Sequence, residues 1–193
     1  MFFVYSFILS GDTERLGIQI ATLDFDGPIE LDRPAPPPPP PPPAPKEVET
    51  IEIVSSFLEP EIKAGLVSVA SVGNTLTIRI AGEGMFASAS DQLEPQFEDI
   101  MDRVAKALDD EEGRIIVAGH SDNVPIKTAR FPSNLQLSLA RAKSAMTRIS
   151  ASLDDQSRIT AEGRADKTPI ASNDTPEGRA KNRRIEVILV KAG

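Results

Sequence analysis

The sequence predicts one α/β domain, a mixed four-stranded sheet with helices packed on it as a sandwich, running from about residue 46 to residue 193. Three observations carry this. Stretches of strand and helix character alternate in the order strand, helix, strand, helix, strand, short helix, strand. The links between them are short, which favours one layered domain over two. A proline tract sets this region apart from what precedes it, since ten of the twelve residues from Pro34 to Pro45 are proline.

Taken in order, Glu47 to Gly65 carries a loosely helical apolar set, Val48, Ile51, Phe57, Leu58 and Ile62, interrupted at Pro60. A strand-like run begins at Leu66-Val67-Ser68-Val69. After a Gly73-Asn74 turn, Asn74 to Ile80 alternates with period two, as a half-buried strand does. Pro95 opens a helix whose Phe97, Met101, Val104 and Leu108 form one stripe. Arg114 to Gly119 is a short continuous apolar run, the pattern of a strand buried on both faces. Ser133-Asn134-Leu135-Gln136 is a capping-box pattern. The helix it starts is expected to bury Leu135, Leu139, Ala142, Met146 and Ile149. Arg158 to Ala161 reads as a strand, and Thr175-Pro176-Glu177 as a helix start with proline in its first position. Arg184 to Val190 closes the chain as a strand.

The first 45 residues divide into three parts. Residues 34–45 read as a polyproline II spacer. At about 3.1 Å per residue it spans roughly 35–40 Å; an SH3-like partner is the other use of such a tract. Residues 10–33 are acidic and without sustained periodicity, as in a solvated connector. Within residues 1–9, Phe2 to Leu9 is apolar but only about half the length that crosses a bilayer. It reads either as an interfacial stretch or as the C-terminal end of a transmembrane helix that begins outside this chain.

Composition removes several function classes. There are 29 acidic and 21 basic residues, a formal charge of −8, which argues against a nucleic-acid binder. No cysteine is present, which excludes disulfides, thiolate metal sites and thiol nucleophiles, and His120 is the single histidine. No cofactor and no metal site is expected. A catalytic triad could be drawn through Ser121 or Ser138, but no nucleophile elbow accompanies them, and no catalytic residue is expected.

What remains is a loop and a helix face. Gly119-His120-Ser121-Asp122-Asn123 leaves the buried strand at its carboxyl end, where ligands collect in open α/β sheets. Asn134, Ser138 and Arg141 lie at i, i+4 and i+7 and so share a helix face. If strand end and helix start adjoin, Asp122 and Arg141 frame one cleft. A carboxylate and a guanidinium held apart are a receptor for a zwitterion, the first taking an ammonium group and the second a carboxylate. The same residues serve equally well as a plain Asp–Arg ion pair, or Asp122 as a capping aspartate in a tight turn. Arg179, Lys181, Arg183 and Arg184 form a basic cluster, read as a solvated helix face with an arginine or two bracing acidic neighbours.

Four stretches in order resemble the OmpA-like peptidoglycan-binding domain (the OmpA/MotB family). They are Gly119 to Asn123, Ser133 to Ala142, Glu162-Gly163-Arg164 with Pro169, and Asn173, Arg179 and Asn182 to Glu186. The resemblance implies non-covalent binding of the peptidoglycan stem peptide through its diaminopimelate. Asp122 would hold the amino group and Arg141 the carboxylate. Asn134 would line the pocket, Leu137 form its wall, and Arg183 stand among the ligand-binding residues. Val124-Pro125-Ile126 and Arg130 to Asn134 resemble the MotB-like subgroup. Phe57 to Ile62 with Gly65 to Val67, Gly82 to Ser88 and Ala171 to Ala180 are similar to the C-terminal periplasmic domain of the type VI secretion subunit TssL (DotU/IcmH-type). Two small departures stand out, Ser121 where threonine is commoner and Ala89 where glycine is commoner. The resemblance implies a periplasmic, inner-membrane-anchored protein of a Gram-negative envelope, partnered by peptidoglycan and by inner-membrane and lipoprotein subunits of a secretion complex. A homo-oligomer is possible; a flagellar stator anchor is the alternative machine, and a wall-acting hydrolase the alternative class.

Overall fold

The computed structural model describes residues 45–191. The expected membrane-proximal segment, the connector and the proline tract up to residue 44 lie outside the described residues. Among the described residues, no helix is long and apolar enough to cross a membrane.

Two helices, α1 (Pro45–Phe57) and α2 (Glu59–Lys63), open the domain, and Pro60 accounts for the break by sitting in the first turn of α2. The hairpin of β1 (Val67–Val72) and β2 (Thr75–Ala81) follows, turning at Gly73, whose φ of 54° is the left-handed value that a tight two-residue turn requires. A 3₁₀ turn over Pro95–Phe97 leads into α3 (Glu98–Asp109). Then come β3 (Arg114–His120), α4 (Asn134–Ser150), β4 (Ile159–Ala165), α5 (Pro176–Asn182) and β5 (Arg184–Val190). The strand order is β1-β2-β5-β3-β4, antiparallel except for the β3–β4 pair.

The sheet therefore has five strands where the sequence predicts four. The extra strand is β1, where the sequence shows the strand-like run from Leu66 that the four do not include; it is an edge strand whose Ser68, Ala70 and Val72 are exposed. Registration aligns the core side chains in rows across the sheet. Val69, Ile78, Val187, Val117 and Ala161 form one row, and Val67, Ile80, Ile185, Gly119 and Gly163 the next. Val54, Leu58, Met101, Val104, Leu108 and Ile149 close over this face from the helices.

The second row ends in two glycines for a steric reason. A β-carbon on Gly119 would lie 2.1 Å from the Ser138 carbonyl oxygen, and one on Gly163 would lie 2.7 Å from that of Leu135. The first two turns of α4 therefore rest with their backbone directly on β3 and β4. This corrects the expected buried stripe of α4. Leu135 is 45% exposed, Leu139 and Met146 are only half-buried, and the face against the sheet is Ser138, Ala142, Ala145 and Ile149. The helical period is as expected but its phase is rotated, because the two glycines admit backbone where the periodicity predicts a leucine. Ser138, 1% exposed, is held by accepting the Ala165 N–H (3.2 Å) and donating to the Leu135 carbonyl (3.0 Å).

Candidate functional site

The close seating of α4 brings its N-terminal half against the carboxyl end of β3. Ser133 caps the helix by accepting the Gln136 N–H, as the capping box predicts. Asn134, the first helical residue, spends its amide on the loop after β3. Its Nδ2 donates to the carbonyls of Asp122 (3.2 Å) and Val124 (2.9 Å), and its Oδ1 accepts the Ile126 N–H (3.1 Å). All the polar atoms of this side chain thus fix the shape of residues 122–126. Asp122 turns the same loop by accepting the Val124 N–H at Oδ1 (3.1 Å), an Asx turn.

Beyond this loop lies a cleft of about 540 Å³. Asp122, Asn134, Leu137, Arg141 and Arg183, the five residues expected to bind ligand, all line it. Leu137 is buried in its wall. Asp122 and Arg141 face the same space without pairing. The ion pair that the sequence leaves open is made instead by Arg183, whose Nη1 lies 2.8 Å from Asp122 Oδ2. Asp122 therefore holds both structural roles considered for it, turn cap and ion-pair partner, while its carboxylate stays on the cleft wall.

Arg141 is positioned by a segment that carries no site signature in the sequence. Its Nε donates to the Ser90 carbonyl (2.8 Å) and its Nη2 to that of Ala87 (3.2 Å), while its guanidinium lies over the Phe86 ring, 5.1 Å from the centroid. Ala89, between these two carbonyls, has φ 53°. Its departure from the commoner glycine is thus a departure at a left-handed position. Burial lowers the Arg141 pKa, and the neighbouring Arg183 charge lowers it further against the pull of Asp122 and Asp91. With Arg179 also on the wall, three arginines face Asp122 and Glu83 around one space.

Behind the cleft the strand end is anchored by buried charge. His120, 3% exposed, places Nε2 3.2 Å from Glu186 Oε2 and Nδ1 3.2 Å from the Thr168 hydroxyl. Glu186 also accepts from Arg79 Nε (3.0 Å) and Arg184 Nε (2.9 Å). Burial by itself would push the Glu186 carboxyl up. The His120 imidazole at 3.2 Å, the hydrogen bond and charge of Arg184 and the bond from Arg79 outweigh it and hold this carboxyl far below its ordinary range. The imidazole is thus a strand-end brace facing away from the cleft. Arg184 is structural; Arg183, one residue earlier, lines the cleft.

An open mixed sheet with helices on one face and a cleft at the strand ends defines a domain of α/β class. The chain belongs to the OmpA family, whose profile matches residues 85–183, just over half of its length. It is similar to the cell wall anchor of the type VI secretion system (T6SS) from Pseudomonas aeruginosa, at 42% identity and a TM-score of 0.68, over 72% of this chain and 97% of that one. Motility protein B of Bacillus subtilis is 42% identical over 80 residues, 41% of this chain and 31% of that protein. The peptidoglycan-binding protein ArfA of Mycobacterium tuberculosis is 37% identical over 107 residues, 54% of this chain and 31% of that protein. The chain spans about a third of the length of each of these two relatives.

Proposed function

We propose that this chain binds peptidoglycan non-covalently, and that the cleft between Asp122 and Arg141 takes the zwitterionic end of the diaminopimelate side chain. The observation that carries this is the separation of the two charges. Asp122 and Arg141 line one cleft and are not paired with each other, so a carboxylate is offered to an ammonium and a half-buried guanidinium to a carboxylate. Arg141 keeps Nη1 available for a ligand, since its bonds to Ser90 and Ala87 use Nε and Nη2. The names of the relatives, two anchors or binders of the wall among them, support the same ligand.

The role is that of an anchor and not of an enzyme. The cleft holds a complex in the periplasm to the wall, and the similarity to the Pseudomonas anchor favours type VI secretion as that complex. In this reading residues 1–9 belong to a membrane span, residues 34–44 set the reach of the domain, and the partners are inner-membrane and lipoprotein subunits. Co-sedimentation with purified sacculi tests the binding, with Asp122→Ala and Arg141→Ala as the site variants. Each is expected to lose about 2–5 kcal/mol, enough to abolish sedimentation of a weak binder. A folded Asp122→Ala protein that still sediments refutes the site, and release of soluble muropeptides refutes the non-enzymatic role.

A further inference from the structure

Two consecutive arginines close α5 and open β5, and they are held in opposite ways. Arg184 is 3% exposed at its side chain and bonded to Glu186, to the Asn182 carbonyl and to the Thr168 carbonyl. Arg183 is 38% exposed at its side chain, and among the described residues Asp122 is the only hydrogen-bond partner of its guanidinium. Its backbone, by contrast, is fixed. The N–H donates to the Arg179 carbonyl (3.0 Å), and the carbonyl accepts the Gly82 N–H (3.0 Å) so closely that a β-carbon on Gly82 would lie 2.2 Å from it. Arg183 is thus a pinned residue with a half-exposed cationic arm resting on the one carboxylate that the proposed function gives to a ligand ammonium.

We propose that Arg183 is the resident occupant of the ammonium site, and that ligand enters by exchange: its ammonium takes over Asp122, and the released Arg183 guanidinium closes with Arg141 on the ligand carboxylate. The inference rests on the binding reading above and adds what makes the cleft selective. A ligand with an ammonium but no carboxylate gains Asp122 only by turning Arg183 loose beside Arg141, where two guanidinium charges already repel. That repulsion is part of what lowers the Arg141 pKa. A ligand with both groups supplies the missing anion to the pair of arginines. Affinity for the amine is therefore conditional on the carboxylate, and the cleft selects the α-amino-acid end of a side chain over a simple alkylamine. Selectivity is built here by a penalty on the wrong ligand as well as by contacts to the right one.

The test is a calorimetric or NMR titration of the full chain with two stem peptides, one containing diaminopimelate and one containing lysine in its place. The native chain is expected to prefer the diaminopimelate peptide by at least about tenfold, the scale of one charged contact. In Arg183→Ala the two affinities are expected to converge. The diaminopimelate peptide loses about tenfold with its second guanidinium, while the lysine peptide binds more tightly because Asp122 stands open. Arg183→Met, which keeps the apolar stem, repeats the measurement if shortening the side chain disturbs the end of α5. Weakening of both peptides by one factor in the folded variants, or an unchanged ratio, overturns the exchange. Asp122→Ala separates the two claims. Loss of diaminopimelate binding there, alongside an unchanged ratio in Arg183→Ala, refutes only the exchange; binding as in the native chain refutes both.

Discussion

Adding one methyl group at Gly119 would bring a carbon to 2.1 Å from the Ser138 carbonyl oxygen and 3.4 Å from the Ala142 methyl. The residue has no left-handed φ to protect, so the whole effect is steric. Relief requires α4 to rise from the sheet by about 1 Å, and overpacking of this size costs typically about 1–3 kcal/mol. At about 2–4 °C per kcal/mol for a chain of this length, Gly119→Ala should melt roughly 2–12 °C lower. The same displacement moves Asn134, Leu137 and Arg141 relative to Asp122, because the first three ride on α4 and the last on the end of β3. Peptide affinity should therefore fall about tenfold in protein that is still folded, since sites of this kind tolerate only about 0.5 Å of misplacement. Scanning calorimetry and peptide titration read the two effects. Gly65→Ala is the control. Its φ of 72° makes alanine strained by about 1 kcal/mol, but nothing lies within 4 Å of the new carbon, so affinity should not change. A Gly119→Ala protein that melts within 1 °C of the native chain (about the limit of the measurement) and binds undiminished would refute the claim that these glycines set the cleft.

Other expectations follow from single contacts. Glu186→Gln should cost about 3–5 kcal/mol at neutral pH, because it leaves Arg184 buried without its counter-charge; urea unfolding measures this. The folded carboxyl of Glu186 titrates below its ordinary value of 4.5. Its stabilisation is therefore complete above that value and lost as pH falls from there toward the folded pKa, so the native chain should lose stability more steeply below about pH 4.5 than Glu186→Gln does. Asn134→Ala removes three hydrogen bonds from the 122–126 loop and should lower stability by about 1–3 kcal/mol while weakening peptide binding, with faster amide exchange at Val124 and Ile126 as the local sign. Ala89→Gly should stabilise the domain by about 0.5–1 kcal/mol by relieving a left-handed alanine, leaving the carbonyls that hold Arg141 in place; thermal melting with unchanged affinity checks it.

Much of the cleft was legible because its parts are local. A capping serine, a continuous apolar strand and an i, i+7 spacing each depend on residues a few positions apart, and together they put Asp122 at a strand end and Arg141 on the face of the next helix, which the structure brings to one cleft. The Asp122–Arg183 pair was not legible. Its members are 61 residues apart, and they meet only because β5 lies beside β3 in the sheet. The Ala87 and Ser90 carbonyls that hold Arg141 were invisible for another reason, since main-chain acceptors leave no side-chain signature. Position 89 was the one trace of them. The misjudged stripe of α4 shows the limit of periodicity, which gives the width of an apolar face while neighbouring glycines decide which way it turns. The strand-like run at Leu66 falls outside the four because only Val67 and Val69 are apolar on its inward side, a shorter signal than that of β2.

The places where this domain would carry load all lie at one rim of the sheet. The chain enters β1 at Val67, which is registered with Ile80 near the end of β2, and β2 runs out into the cleft wall at Gly82 and Glu83. Asp122 at the end of β3 and Arg183 at the start of β5 stand on that same rim. In antiparallel ladders the hydrogen bonds run perpendicular to the strands. Tension between the chain entry and a gripped wall therefore acts across the sheet and along those bonds, opening pairs one after another from Val67–Ile80 inward. Such a joint yields gradually, with α1, α2 and β1 paying out before β3 and β5, which lead to Asp122 and Arg183, are disturbed.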